Sequence, residues 1–104
     1  GDTIVSFNPS AVICATDNIA LGLLRYFHEK KIHVPQDISL AGFGGYPVGS
    51  ISYPSLTSLA FDYKHLGIKT VEKLLSMLQN QPVTSEYDHN MNLIIRESTR
   101  LAKI

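Results

Sequence analysis

Three short oxygen-bearing side chains follow one another at Thr16, Asp17 and Asn18, directly after the apolar run of residues 11–15. Side chains of this kind cap helix N-termini, and the next dozen residues carry the apolar spacing of a helix. A strand that ends in capped, helix-directed polar groups is where open parallel sheets hold small ligands, because backbone N–H groups and short polar side chains converge there. Thr16 and Asp17 are the first candidate ligand-binding residues, with plain helix capping as the competing role of Asp17. The second candidate is the stretch of residues 42–50, which has four glycines in nine residues. Chains use glycine at that density where backbone turns tightly or approaches something closely. The stretch is not a dinucleotide fingerprint, because Pro47 stands where the third glycine belongs, and it lacks the lysine of a nucleotide P-loop.

Other chemistry is poorly provided for. His28, His33, His65 and His89 have no metal-ligand spacing and Cys14 has no cysteine companion, so neither a metal nor a cofactor is expected. No serine has glycines both two before and two after it, and Asp17, Asp37, Asp62 and Asp88 read as caps or turn residues rather than paired acid and base. The chain is therefore not expected to be an enzyme. Nine Lys and Arg balance nine Asp and Glu, and without a basic stripe the chain has no footprint for a nucleic acid backbone. Cys14, inside an apolar strand, reads as a small hydrophobe in a reducing, cytoplasmic setting. No apolar run reaches the roughly 18 residues of a membrane span. The first ten residues lack the pattern of a secretion signal and read as a loop cut from a longer protein.

The elements that position the candidates follow from hydrophobic spacing. At 104 residues with 44% hydrophobic content, the chain supplies one domain at most. Residues 11–15, 37–43, 56–61 and 91–97 read as strands, residues 18–31 and 63–80 as helices, and residues 81–90 as a polar connection. The first strand shows no alternation and is expected to be covered on both faces. A helix between the first two strands predicts a right-handed parallel βαβ unit, which brings both candidate stretches to one sheet edge. In the first helix Ile19, Ala20, Leu23, Tyr26 and Phe27 project toward the sheet, while Leu21 and Leu24 fall away beside Arg25 and His28. A second apolar strip predicts a subunit interface along Leu21, Leu24, Arg25 and His28, the alternative being leucines that are simply exposed or covered by the rest of a longer protein. In the second helix Leu66, Thr70, Val71, Leu74, Met77 and Leu78 form a face for a sheet. This α/β inventory is thin, half of the sheet's covering is missing, and an exchange of elements with a second copy is one way to supply it.

Four blocks in this order, AVICATDNIALG, VPQDISLAGFGGY, PSLTSLAFDYKHLG and LIIREST, make the chain resemble the C-terminal part of the lactose and galactose repressor family of bacterial transcription regulators. The resemblance runs from about Pro9 to Thr99. It implies a partial periplasmic-binding-protein-like fold, mostly the C-terminal lobe, with the segment from Leu56 to Asn80 assigned to the N-terminal lobe. It also implies that residues 1–104 are a fragment of an effector-binding and dimerisation domain whose operator-DNA-binding head lies outside the chain. On this resemblance the effector, a small molecule and most simply a sugar, meets Thr16, Asp17, Gly44, Gly45 and Tyr46, with the Tyr46 ring stacking on a sugar face. The homodimer packs through the first helix and the loop at Ile51 and Ser52. Many members carry an acid where this chain has Gly44 and Gly45. The GFGGY form looks like that of sucrose-type repressors, with a larger sugar filling the vacated space. The alternative is a periplasmic sugar-binding protein of the same fold.

Overall fold

The computed structural model describes residues 1–84 and 91–102. Asp88, His89 and part of the polar connection lie outside the described residues. The chain divides into two compact units, Gly1–Ala60 with Asn92–Ile104, and Phe61–Met91.

The first unit is built on parallel strands. β1 (Ala11–Ile13), β2 (Ser39–Gly44), β3 (Thr57–Phe61) and β4 (Met91–Ile94) lie in that order in one sheet. β1 pairs parallel to β2, with Ile13 opposite Ala41, and β2 pairs parallel to β3, with Gly44 opposite Ala60. The strand after Leu56, assigned by resemblance to the other lobe, thus joins this sheet. α2 (Asp17–Glu29) connects β1 to β2 and lays Ala20, Leu23, Leu24 and Phe27 on Leu40, Leu56, Ile38 and Cys14. Positions 20, 23, 24 and 27 are the i, i+3, i+4, i+7 stripe of a helix with one buried face. This corrects the projection at two places: Ile19 is 56% exposed, and Leu24, expected on the outer strip, is 9% exposed and part of the core. Cys14 packs as a small hydrophobe, and burial pushes its thiol pKa up.

Within the first unit, the described residues cover the sheet on one face only. Along β2, Leu40, Gly42 and Gly44 are buried while Ser39, Ala41 and Phe43 are more open, and Ile13 in β1 is 81% exposed. The expectation of a first strand buried on both sides is therefore not met. An apolar groove of about 830 Å³, lined by Ile13, Ala41, Leu93 and Ile95 among others, runs along the open face.

Two short helices were not expected. α1 (Asp2–Ser6) stands in a stretch whose Asn8, Pro9 and Ser10 point to a loop, and its own Thr, Ile and Val are poor helix formers. Tertiary contacts override that preference: Ile4 packs against the core and the Tyr26 hydroxyl donates to Asp2, which holds the Asp2 carboxyl below its usual range. α3 (Val48–Ile51) follows the glycine-rich turn.

The last strand stops at Ile94 rather than Glu97, and the segment after it becomes a clip across β2 and β3. The buried Ser98 hydroxyl donates to the Leu40 carbonyl (2.5 Å) and accepts from the Thr57 amide (2.8 Å). The Ser98 backbone accepts from Leu40 N and donates to Ser55 O, both at 2.9 Å. One serine therefore supplies ladder bonds at the N-terminal end of the β2–β3 pair. Beside it the Glu97 carboxylate accepts from the Ser55 amide at 3.0 Å, and that bond lowers its pKa.

The second unit is dominated by α4 (Tyr63–Leu78), capped by Asp62, whose carboxylate accepts from His65 N. No residue of α4 is buried, and Val71, Leu74, Met77 and Leu78 are exposed.

Candidate functional site

The parallel register brings the ends of β1 and β2 to one edge of the sheet, as the βαβ argument requires. β1 runs into Thr16, the N-cap of α2, whose hydroxyl accepts from Ile19 N at 3.2 Å. β2 runs into a turn in which Gly44 (φ +124°) and Gly45 (φ +66°) take backbone conformations that side chains oppose. Gly45 also lies against β3, where any Cβ would collide with Ala60.

Asp17 joins the two strand ends, and not as a cap. It is fully buried. One carboxylate oxygen accepts from the Tyr46 amide (2.7 Å) and the other from the Ser58 hydroxyl (2.7 Å). Ser58, also fully buried, accepts in turn from the Gly45 amide at 2.9 Å. One acid at the start of α2 thereby fixes the first two N–H groups after Gly44 and ties α2, the β2–α3 turn and β3 together. Charge-assisted bonds of this kind are about twice as strong as neutral ones. Gly42 makes the room: a Cβ there would collide with the Asp17 carboxylate and lie 3.0 Å from Leu56.

Of the five expected ligand residues, the structure gathers Thr16, Gly44, Gly45 and Tyr46 at the edge and puts Asp17 beneath it. Asp17 is buried with both oxygens engaged, so its position is that of a group holding the turn rather than one open to a ligand. The space beside Gly44 is not vacant either. The Tyr46 ring lies over it, with ring atoms 3.1–3.4 Å from where a Cβ would stand. Sequence reasoning missed Ser58; the only signal was a hydroxyl beside Thr57 at the start of an otherwise apolar strand.

The expected interface residues also gather. Leu21, Leu24, Arg25 and His28 line a groove of about 370 Å³ together with Glu29 and Tyr53. Arg25 is paired with Glu29 across one helical turn (3.1 Å). Ile51 is 82% exposed and Tyr53, not foreseen, 93% exposed. The Ser52 hydroxyl shapes this loop by donating to the carbonyls of Gly49 and Pro54.

The sequence pattern of the periplasmic binding protein-like domain family matches residues 2–99. The chain is 36% identical over 92 residues to the HTH-type transcriptional regulator IdnR of Escherichia coli, covering 86% of this chain and 26% of that protein. Its fold is similar to that of the lac repressor dimer bound to operator and the anti-inducer ONPF (TM-score 0.84, 31% identity, 93% of this chain and 34% of that one). It is also similar to a LacI family regulator from an Arthrobacter species in complex with lactose (TM-score 0.77, 27% identity, 89% and 36%). The chain spans about a quarter of the length of the curated relatives it matches. It belongs to the periplasmic binding protein-like domain family, in the form that makes up the C-terminal effector-binding region of LacI-type transcriptional regulators.

Proposed function

We propose that the chain is the effector-binding and dimerisation portion of a cytoplasmic transcriptional repressor. Binding of a small molecule, a sugar, at the Thr16 and Gly44–Tyr46 edge alters the grip of a DNA-binding segment elsewhere in the polypeptide on its operator. The observation that carries this reading is the Asp17 junction, because it makes two strand ends 29 residues apart in sequence into one wall. The relatives crystallised with lactose and with operator and anti-inducer support it. The physical requirement is that the effector bind two arrangements of the molecule unequally, with a coupling of about 1–3 kcal/mol.

The second half of the reading is a homodimer through Leu21, Arg25, His28, Ile51, Ser52 and Tyr53, with Leu24 in the core beneath them. The exposed Ile51 and Tyr53 beside a half-covered Leu21 support it, since exposed apolar side chains grouped on one surface mark contact sites. The test is a titration of the complete gene product on its own promoter DNA with neutral sugars and with purine bases. A sugar that changes operator affinity is expected. DNA binding unaffected by every sugar, or no DNA binding at all, refutes the reading.

A further inference from the structure

The Asp17 junction also says which kind of sugar the wall takes, provided that the sugar-sensing reading above holds. Consecutive backbone N–H groups that point into one concavity can seat an anion, and the Gly45 and Tyr46 amides after β2 point the same way. Here that seat is filled from inside. Gly45 N donates to Ser58 Oγ and Tyr46 N to Asp17 Oδ2, so the amides that would cradle a phosphate are already taken by a buried hydroxyl and a buried carboxylate.

The positive end of α2 is answered in the same way. Asp17 stands in its first turn and sets a negative charge against the helix dipole. No lysine or arginine occurs between Gly1 and Leu24 or between Ile32 and Tyr63, the segments that form the whole edge. Arg96, which packs against Gly49, donates to the Leu56 carbonyl. The side chains that this edge presents are uncharged: the Thr16 hydroxyl and the half-buried Tyr46 ring.

We propose that this wall selects an uncharged polyhydroxy effector and disfavours its phosphate ester, with Asp17 as the residue that sets the discrimination. A phosphate held against the turn would sit within a few ångströms of a like charge shielded from water by protein, which weakens binding by at least about tenfold. A neutral ring loses nothing there and gains the Tyr46 face for stacking.

The test is calorimetry on the complete gene product with matched pairs: glucose and glucose 6-phosphate, fructose and fructose 1-phosphate, sucrose and sucrose 6-phosphate. The expected result is that a neutral member binds, with an affinity that does not change between low and high salt, and that its ester binds at least about tenfold more weakly. In Asp17→Asn, which removes the charge and keeps the shape, the ratio between the two affinities should shrink. A loss of fold would weaken both members and leave the ratio unchanged, so Ser58→Ala, which loosens the turn but keeps the charge, should preserve it. An ester that binds as tightly as its neutral partner overturns the proposal and leaves the sugar-sensor reading intact. Binding of purine bases alone, or of no member of any pair, refutes the sugar reading itself and the proposal with it.

Discussion

Adding one methyl group at two glycines of this chain should have opposite effects. At Gly42 a Cβ would collide with Asp17 Oδ1, stand 3.0 Å from Leu56 Cδ2 and 3.1 Å from the Asp17 Cα. The carboxylate has no slack, since Ser58 and Tyr46 each hold one oxygen at 2.7 Å. Accommodating the methyl means giving up at least part of both bonds, and hydrogen bonds to a charged group contribute about 1.5–3 kcal/mol each. Gly42→Ala should therefore destabilise by about 3 kcal/mol or more. Gly22, within α2, has nothing within 4 Å of its hypothetical Cβ, so Gly22→Ala should stabilise by about 0.5–1 kcal/mol through helix propensity alone. Urea titration followed by circular dichroism measures both, with the amide resonance of Tyr46 as a local probe that should move only in Gly42→Ala. A neutral Gly42→Ala with an unmoved Tyr46 amide would refute the packing argument on which the site rests.

Four further outcomes follow from the same structure. Ser98→Ala leaves the buried Thr57 amide and Leu40 carbonyl short of a partner and should cost about 1–3 kcal/mol in the same titration. Glu97 has a pKa lowered in the folded chain, so the stability it adds is fully present above the ordinary glutamate value and is lost as pH falls through the lowered one. The gap in urea midpoint between the parent and Glu97→Gln should accordingly close on acidification. Lys31 holds φ +60° just after α2, a conformation that disfavours any side chain, so Lys31→Gly should raise stability by up to about 1 kcal/mol. Leu21→Glu and Ile51→Glu should yield folded monomers by sedimentation, whereas Leu24→Glu places a charge in the core and should unfold the chain.

How far the chain could be read in advance depended on the range of the interactions. The βαβ unit, the Asp62 cap and the meeting of both candidate stretches at one edge follow from local spacing, and they were legible. Asp17 was not, because its role depends on Ser58, 41 residues away, and from sequence a carboxylate before a helix looks like a cap. The inner stripe of α2 differs from the projection at its margins, Ile19 being exposed and Leu24 buried, while Ala20 lies in the core as the projection has it. A small side chain is what lets a helix approach a sheet closely. The clip at Ser98 reads as a polar tail until β2 and β3 are seen to need its bonds. The exposure of Ile13 and of the apolar residues of α4 was not legible either, because apolar spacing marks a face to be covered and not the element that covers it.

The most direct measurement is hydrogen exchange on the complete gene product with and without a neutral sugar that it binds. Protection should appear in peptides covering residues 14–18 and 43–47 together, the two strand ends that Asp17 joins. Protection confined instead to the groove at Ile32, His33, Val34, Pro35 and Tyr53 would contradict the account.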